Sequence, residues 1–523
     1  MPTNELDPFG LTAEEFFMKF RGESLTFDDI NILQTKTIDF GVDQVDISTN
    51  ITRNIRIKAP LVASPMEDVS EYEMAIATAL QGFPTIIHYN MDIAEQVSQI
   101  EKVKRFENGF ITDALTFSPL DPLKKVIDMR IEMGVSTFPV VDGKKLVGLI
   151  TKNDFSASLH SGLKVADRMI PIEKLSNRII KLSTLPSDEG ARLDKANEIL
   201  LEGHQGVLLI IEEDGSFHSL VTRTDIEKNE AHPDSIKDRN KSLIVGAAVK
   251  TDINDTKMRA IELIKAGVDF LCIDSSHGNS THEKKVLEYL KENFPDIDVI
   301  YGNVATAAGA IRGLEWGADA IRVGKGVGSI CSTSRVSLGT RSQMTATYAC
   351  ARAVRDYCEK KGINEKIPVI SDGGYSSFSA IGKGLMFADV VMLGSMLAGT
   401  DEAPGKTIYD SQGRKLKEYK GMGSIEAMSR GSSSRYDEER MDAMVGEGVV
   451  GTLKSKGSIS QWVPKIKKGI RKCLQSVGAK SLDIYHQDVN NGLILMERMS
   501  EAGKKEAGIH DLLDYKTELP IRY

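Results

Sequence analysis

Cysteine is scarce in this chain, and its few copies are not paired along the sequence. The 523 residues contain five cysteines, and no two of them form a Cys-x-x-Cys pair. Disulfide frameworks and zinc sites need such clustering, so this spacing argues against both. A reducing compartment, the cytoplasm, is therefore the expected location.

Long apolar runs, excess positive charge and a secretory leader are also missing. No run approaches the ~18 apolar residues that a membrane span requires, and residues 1–8 lack the basic-then-apolar layout of a signal peptide. The formal net charge is −8, whereas a nucleic-acid-binding protein presents a clustered basic face. We therefore expect no membrane partner and no dedicated nucleic-acid binding.

Eight short, continuously apolar runs recur along the chain, each ending in small or polar residues. They are Pro60–Pro65, Pro84–His88, Leu243–Val249, Phe270–Ser275, Asp298–Asn303, Ala320–Gly324, Pro368–Gly373 and Val390–Ser395. Continuous rather than alternating hydrophobicity is typical of parallel strands that are buried on both faces.

Segments with helical character lie between most of these runs, for example Tyr72–Leu80, Lys257–Ala266 and Thr306–Glu315. Eight strands alternating with helices predict an α/β protein with a (β/α)₈ barrel, and an open doubly wound sheet is the alternative. Active sites of such barrels lie at the carboxyl ends of the strands. That rule selects Ser64, His88, Asp274, Asn303, Gly324, Asp372 and Gly394.

The segment between the second and third runs contains an internal repeat. Residues 134–154 are echoed by residues 206–225, and each copy has two apolar runs around a turn followed by Thr-x-x-Asp. We predict an inserted domain pair over 109–232, with the barrel formed by 1–108 and 233–523.

The two copies resemble paired cystathionine-β-synthase-type domains, which bind adenine or guanine nucleotides. The resemblance implies that Thr151, Asp154, Thr222 and Asp225 hold the ribose of an allosteric nucleotide. The alternative interpretation is that these Thr and Asp residues only cap the helices that follow.

One cysteine stands at the end of a glycine-rich turn directly after an apolar run. The turn is Gly324-Lys-Gly-Val-Gly-Ser-Ile-Cys331-Ser-Thr333. Glycines let the backbone approach a ligand closely, and their N–H groups can bind an anion. A thiol on such a loop is placed for nucleophilic catalysis, so Cys331 is the predicted nucleophile.

Taken together, the motifs of the predicted barrel resemble the inosine 5′-monophosphate (IMP) dehydrogenase family over nearly the full length. The segments are residues 25–29 (LTFDD), 64–66 (SPM), 274–278 (DSSHG), 302–304 (GNV), 326–331 (GVGSIC), 372–374 (DGG), 394–395 (GS), 402–405 (EAPG), 421–424 (GMGS), 435–436 (RY) and 506–508 (EAG). The resemblance implies oxidation of IMP to xanthosine 5′-monophosphate with NAD, in guanine nucleotide synthesis.

In that chemistry a thiolate adds to C2 of the hypoxanthine ring, and a hydride then leaves to NAD. The resemblance implies that Thr333 activates the water that hydrolyses the covalent intermediate, and that Arg435 and Tyr436 arrive on a mobile flap. The Gly/Ser-rich stretch 429–434 suits such a flap.

The remaining predicted site residues also follow from the resemblance. Substrate would contact Ser64, Met66, Ser329, Asp372, Gly373, Gly374, Gly394, Ser395, Tyr419, Met422, Gly423 and Glu447. NAD would contact Asp274, Ser275, Ser276, Asn303, Arg322 and Gly324. A glycine-lined phosphate site after the last two strands is also a habitual feature of barrels.

The resemblance further implies a potassium ion and a homotetramer that can pair into an octamer. The ion would bind the backbone carbonyls of Gly326, Gly328 and Cys331, completed by Glu506, Ala507 and Gly508 of a neighbouring subunit. The chain departs from the family pattern at Glu67-Asp68, at Phe83-Pro84-Thr85 and at Ala507.

Two other functions stay open. Guanosine 5′-monophosphate (GMP) reductase shares the barrel, the cysteine and the threonine, but it needs no hydrolytic base, so the Arg435–Tyr436 pair favours the dehydrogenase. A non-catalytic nucleotide sensor is the second alternative, because fold alone does not establish activity. It would be favoured by loss of Cys331, Thr333 or Arg435, and all three are present.

Overall fold

Eight parallel strands pair in one sheet and fix where the strand ends meet. The computed structural model describes residues 7–106, 110–111, 114–133, 135–160, 162–187, 189–223, 232–430 and 445–508. The strands are β1 (Leu61–Ala63), β2 (Ile86–Ile87), β3 (Gly246–Val249), β4 (Phe270–Ile273), β5 (Asp298–Val304), β6 (Ala320–Val323), β7 (Val369–Asp372) and β8 (Val390–Leu393).

The sheet closes on itself. Each of β2 to β7 pairs with the next barrel strand along the chain, and β8 pairs with β1. A parallel bridge between Ala63 and Thr85 joins β1 to the start of β2. The predicted (β/α)₈ barrel is confirmed, and the open doubly wound sheet is excluded.

A helix follows each barrel strand. These helices are α1 (Tyr72–Leu80), α2 (Ile93–Lys104), α3 (Ile253–Lys265), α4 (Thr281–Asn293), α5 (Ala307–Glu315), α6 (Gln343–Lys361), α7 (Phe378–Gly384) and α8 (Ile459–Ser476). Helix α8 buries an apolar stripe that includes Trp462, Val463 and Ile466. Its spacing of three and four residues is that of a helix packed on one face.

The amino ends of the barrel strands are tied in pairs by aspartates. Val245 N–H donates to the Asp269 carboxylate at 2.8 Å, and Val299 donates to Asp319 at 2.8 Å. The same contact joins Val369 to the carboxylate of Asp389, also at 2.8 Å. In each pair the aspartate N–H donates back to the carbonyl of the same valine. The same two hydrogen bonds between a valine and an aspartate therefore join β3 to β4, β5 to β6 and β7 to β8 at the amino ends of the strands.

Further elements surround the barrel. The helices are Ala13–Lys19, Thr333–Val336, Ser395–Ala398, Ile425–Arg430, Leu482–Asn490 and Glu501–Glu506, with 3₁₀ turns at Phe27–Asp29 and Val42–Gln44. The strands form the antiparallel pairs Ile30–Leu33 with Leu495–Arg498 and Thr49–Asn50 with Arg56–Ile57, and a three-stranded sheet of Thr407–Tyr409, Lys415–Lys420 and Val450–Lys454.

The chain divides into two compact units. One comprises Met1–Val103, Asp234–Ile236 and Ile244–Tyr523, and the other comprises Lys104–Pro233 and Lys237–Leu243. None of the helices among the described residues is both long and apolar enough to cross a bilayer.

The second unit contains two three-stranded sheets. One is Thr137–Asp142, Lys145–Thr151 and Ile170–Pro171, and the other is Ile179–Lys181, Val207–Ile211 and Phe217–Thr222. Its helices are Leu123–Met133, Ala157–His160 and Glu189–Glu202, with 3₁₀ turns at Val165–Asp167, Ile172–Lys174, Ser176–Arg178 and Leu182–Thr184. Each sequence repeat thus forms the two predicted strands after a helix.

Candidate active site

Two cavities adjoin each other at the carboxyl ends of the barrel strands. We call the cavity that contains Cys331 the thiol cavity, and the cavity that contains Gly374 and Ser395 the glycine cavity. They share the lining residues Ser64, Met66, Gly328, Asp372, Gly373 and Tyr419. Of the strand-end residues predicted from the sequence, Ser64, Asn303, Gly324, Asp372 and Gly394 line one or both cavities. His88 and Asp274 are buried outside their lining.

Every residue predicted to contact substrate lines one of the two cavities. Ser329, Gly374, Gly394 and Ser395 lie in the glycine cavity, and Met422, Gly423 and Glu447 lie in the thiol cavity. Several other lining residues were not predicted: Val327, Ile330, Gly421 and Gly448 in the thiol cavity, and Tyr375, Met392, Leu393 and Met396 in the glycine cavity.

The thiol of Cys331 begins a short chain of hydrogen bonds. Cys331 Sγ donates to Thr333 Oγ1 at 3.0 Å, and Thr333 Oγ1 donates to Glu447 Oε2 at 2.7 Å. Cys331 is partly exposed, whereas Thr333 is buried. A hydroxyl can accept one proton while releasing another. The chain of hydrogen bonds therefore connects the thiol of the predicted nucleophile to a carboxylate that can accept its proton.

Backbone hydrogen bonds hold the two ends of this chain together. Cys331 N–H donates to the Gly328 carbonyl at 3.0 Å, and Ser332 N–H donates to the Glu447 carbonyl at 2.8 Å. Glu447 N–H in turn donates to the Gly423 carbonyl at 2.8 Å. The loop after β6 that carries Cys331 is thus fixed to the segment that carries Glu447.

A buried ion network lies at the base of the thiol cavity. Arg322 Nη1 contacts Asp274 Oδ1 at 2.7 Å, and Arg322 Nη2 contacts Asp372 Oδ2 at 2.8 Å. Asn303 Nδ2 also donates to Asp372 Oδ2, at 2.9 Å. Burial opposes the charge of Arg322, but Asp372 and Cys272 outweigh it, so the pKa of Arg322 is raised. The carboxylate of Asp372 is therefore held in one orientation.

The predicted NAD residues fall into two groups. Asn303, Arg322 and Gly324 line the thiol cavity, whereas Asp274, Ser275 and Ser276 are buried outside its lining. In this structure Asp274 contacts Arg322, so one predicted NAD residue orients another.

Two glycines allow the strand ends to approach each other. Gly324 has φ +148°, and a Cβ there would lie 2.1 Å from the Asp372 carbonyl oxygen. Gly302 has φ +147°, and a Cβ there would lie 2.3 Å from the Arg322 carbonyl oxygen. No other residue type fits either position.

Backbone N–H groups without a protein acceptor in the described part of the chain lie at the glycine cavity. Within the described residues, no protein acceptor takes the N–H groups of Ser329, Gly373 or Gly374. Tyr419 closes one side, with its hydroxyl 3.6 Å from Met66 Sδ. Unused N–H groups around a concavity at the last two barrel strands are what an anion such as phosphate requires.

One supporting residue was not predicted. Glu283 of α4 is fully buried and accepts a hydrogen bond from Gly302 N–H at 3.1 Å. Burial raises the pKa of Glu283 well above its usual range. This carboxyl group supports the strand end that carries Asn303.

The predicted cation ligands lie in two places. Gly326, Gly328 and Cys331 line the thiol cavity, and the carbonyl of Gly328 already accepts the N–H of Cys331. Glu506, Ala507 and Gly508 lie at the end of the helix Glu501–Glu506. Among the described residues, no group of three His, Cys, Asp or Glu side chains could hold a metal ion. Backbone carbonyls are the donors that a hard monovalent cation prefers, so the donor set fits potassium.

In the inserted repeats, the first Thr-x-x-Asp is engaged locally. The N–H and the hydroxyl of Thr151 both donate to Asp154 Oδ2, at 2.6 and 2.7 Å. Thr222 ends the strand Phe217–Thr222. Asp225, like the flap residues Arg435 and Tyr436, lies outside the described residues.

A family model covers most of the chain. Residues 24–510 match the model described as IMP dehydrogenase / GMP reductase domain. The inosine-5′-monophosphate dehydrogenase of Aquifex aeolicus is 38% identical over 493 residues, covering 94% of this chain and 96% of the relative. That of Toxoplasma gondii is 34% identical over 554 residues, covering the same shares.

A solved structure shares the fold. GMP reductase C318A from Trypanosoma brucei, in complex with guanosine 5′-monophosphate, superposes with a TM-score of 0.81 at 30% identity. The match covers 95% of this chain and 99% of that chain.

Proposed function

Because the chain belongs to the IMP dehydrogenase / GMP reductase family, we propose that it oxidises IMP to xanthosine 5′-monophosphate with NAD. The hydrogen-bonded chain from Cys331 through Thr333 to Glu447 carries the proposal, because it joins a nucleophile to a proton acceptor beside the two adjoining cavities.

The two cavities accommodate the two ends of IMP. Its phosphate is assigned to the glycine cavity, on the N–H groups of Ser329, Gly373, Gly374, Gly394 and Ser395. The Asp372 carboxylate is assigned to the ribose hydroxyls, because Asn303 and Arg322 fix its orientation. The hypoxanthine then lies in the thiol cavity, between Cys331 and the segment of Met422, Gly423 and Glu447.

The first chemical step forms a bond from Cys331 sulfur to C2 of the base. The thiol proton moves to Thr333 while the hydroxyl proton of Thr333 moves to Glu447, so the sulfur attacks as thiolate. NAD, when bound, accepts the hydride from C2. The purine C2 is left joined to Cys331 as a thioimidate, and the substrate has lost two electrons.

The second step returns the enzyme to its starting state. Water adds to C2, the bond between carbon and sulfur breaks, and Cys331 leaves as thiolate with xanthosine 5′-monophosphate as product. Before this step Glu447 releases the proton of the first step to solvent, which is the net proton of the reaction. It then takes one proton of the attacking water through Thr333 and returns it to the Cys331 thiolate, while the other proton of the water stays on N3 of the product. Arg435 and Tyr436 are proposed, by the family resemblance, to assist this step.

The finer assignments belong to the same proposal. NAD is assigned to Asn303, Arg322 and Gly324, supported from below by Asp274. Potassium would be bound by the carbonyls of Gly326, Gly328 and Cys331 and would order the catalytic loop. The proposal also includes an adenine or guanine nucleotide bound at the inserted repeats. It further includes a homotetramer that can pair into an octamer, and a cytoplasmic location. The five free cysteines support that location.

GMP reductase is the second candidate, because a GMP reductase structure superposes on 95% of this chain. The sequence relatives named above are dehydrogenases, which favours oxidation. A reductase would use NADPH and release ammonia from GMP, so its reaction consumes reduced cofactor instead of producing it.

The deciding experiment follows the near-ultraviolet absorbance of reduced cofactor in two parallel reactions. One contains the protein, IMP, NAD and potassium chloride, and the other contains the protein, GMP and NADPH. The proposal expects a rise in the first reaction and no change in the second. A fall in the second alone would assign the reductase, and silence in both would leave a nucleotide-binding protein without this activity.

A further inference from the structure

The side chain of Lys456 reaches the loop that follows β8. Its ammonium donates to the carbonyl of Ser395 at 2.9 Å and to that of Met396 at 3.1 Å. Its own N–H donates to the Gly399 carbonyl at 2.8 Å. The ammonium also lies 5.5 Å from the ring centre of Trp462, whose indole N–H donates to the Met396 carbonyl. The position of this cation is therefore tightly defined.

Lys456 is a largely buried charge without a carboxylate partner among the described residues. The acids that follow β8 are engaged elsewhere: Asp401 with Lys415 at 2.6 Å, and Glu402 with Ser458 and the Ile459 N–H. Burial alone lowers the pKa of Lys456 to about 8. A buried ammonium without a counter-charge is unfavourable, so the fold tolerates it at a cost in stability.

Other buried cations of the barrel unit differ from Lys456 because carboxylates lie close to them. Several pair directly with carboxylates: Arg322 with Asp274 and Asp372, Arg259 with Asp255, and Lys467 with Asp234. Lys383 and Lys417 donate to carbonyls as Lys456 does. Carboxylates nevertheless lie near both of them, Asp28 and Asp29 near Lys383, and Asp401 and Asp68 near Lys417. Unlike these five cations, Lys456 has no carboxylate near it among the described residues, so its missing negative charge needs an explanation.

Two peptide groups connect Lys456 to the glycine cavity. The Met396 carbonyl, which accepts from Lys456, belongs to the same peptide group as the Leu397 N–H. That N–H donates to the Gly394 carbonyl at 3.0 Å, and the Gly394 carbonyl shares its peptide group with the Ser395 N–H. Hydrogen bonds arranged in series polarise one another. The ammonium of Lys456 therefore makes the Ser395 N–H, at the other end of this series of peptide groups, a stronger hydrogen-bond donor.

We propose that Lys456 is a positioning residue for the substrate phosphate, whose negative charge it balances through the peptide groups of residues 394–397. The proposal rests on the proposed function in one respect, that the glycine cavity takes the phosphate of IMP. Lys456 does not touch the phosphate, and it acts on affinity instead of on the chemical steps.

The test compares IMP with inosine, which lacks the phosphate, on the full-length protein. Lys456→Met removes the charge and keeps an unbranched apolar side chain against Trp462. Because the effect is one charge acting across protein at moderate screening, we expect the dissociation constant for IMP to rise about tenfold. The dissociation constant for inosine and the kcat at saturating IMP should change less than about twofold. Lys456→Arg, which keeps the charge, should restore IMP binding.

Lys454→Met is the matched control, because Lys454 is an exposed lysine two residues earlier. It removes the same charge from the same segment and should leave both dissociation constants unchanged. Should Lys456→Met fail to fold, Lys456→Gln provides the same comparison with a side chain that can still donate to the two carbonyls.

Two results would overturn the role of Lys456. An equal loss of IMP and inosine binding would reveal a structural role only, and unchanged IMP binding would show that the charge is irrelevant. If the unaltered protein bound IMP no tighter than inosine, the phosphate assignment itself would be wrong, and the role of Lys456 would be wrong with it.

Discussion

The two halves of the candidate site are built from different materials. The glycine cavity is distinguished by the N–H groups of Ser329 and Gly374, which no protein acceptor takes among the described residues, whereas the thiol cavity is distinguished by the Cys331 thiol and the Glu447 carboxylate. The position of a backbone N–H donor depends on the path of the chain. A substitution therefore displaces the donor when an added Cβ forces that path to shift. A side-chain group acts through its own chemistry. A substitution of equal size therefore removes its reactivity and leaves the shape of the cavity unchanged. The two halves should therefore fail in different ways.

Loss of the nucleophile should separate the halves most sharply. Cys331→Ala should abolish turnover, because no other group can form the bond to C2, while IMP still binds through the glycine cavity. Steady-state assays and IMP titration measure the two properties. Cys358→Ala, which removes a cysteine far from both cavities, is the control and should keep full activity. Turnover by the Cys331 variant would exclude a covalent mechanism.

Replacing the proton acceptor should slow the chemistry without touching the phosphate end. Glu447→Gln keeps a hydrogen-bond acceptor for Thr333 but cannot take a proton, so kcat should fall about 100-fold. The dissociation constant for IMP should hardly change. Rapid-mixing kinetics will show whether NADH formation or the later hydrolysis is slower. A variant with normal kcat would mean that the proton leaves by another route.

A methyl group in the glycine cavity should have the opposite effect. In Gly394→Ala the new Cβ would lie 2.8 Å from the Tyr419 hydroxyl, so the side chain or the loop must shift. We expect the KM for IMP to rise about tenfold, the loss of one or two hydrogen bonds, with kcat at saturation nearly unchanged. Gly451→Ala, where a Cβ meets nothing within 4 Å, is the control. A fall in kcat without a change in KM would contradict the division between the two halves.

The smallest effect is expected from the support beneath the thiol cavity. Because the pKa of Glu283 is raised in the fold, the folded protein holds its proton to higher pH than the unfolded chain does. Stability should thus fall as pH rises above the usual range of a glutamate. Glu283→Gln should remove that part of the slope and keep the contact with Gly302. Melting temperatures of both proteins from pH 5 to pH 8 test this, and parallel curves would argue against it.

The barrel was predictable because its signals are local. Seven of the eight apolar runs contain the observed strands, the strand Asp298–Val304 extends one residue beyond its run, and helix α1 has the predicted bounds. Helix α3 begins at Ile253 instead of Lys257, because the Asp252 side chain caps it by accepting from Asn254 and Asp255 N–H. The strands Ile170–Pro171 and Ile179–Lys181 were not predicted, since two or three residues carry too little pattern.

The partners within the site were not predictable in the same way. Thr333 and Glu447 are separated by 114 positions, and no periodicity relates them. The family resemblance placed Glu447 against the purine of the substrate. Only the folded structure shows that Glu447 also contacts Thr333. Lys456 carried no motif at all. Residue types and strand ends could be read from the sequence, but which side chains meet depends on loops that converge from different strands.

Three aspartates each join two successive strands at their amino ends, and this has a consequence for how the barrel can be altered. Each one joins two successive strands and lies at the end opposite the catalytic loops. A strand, its helix and the next strand therefore carry their own alignment with them. Such units could be exchanged between related barrels, or the chain reopened at their borders, without redesigning the neighbouring register. From β3 to β8 the barrel is thus modular in steps of two strands, so that new loops can be recruited while the alignment of the strands stays the same.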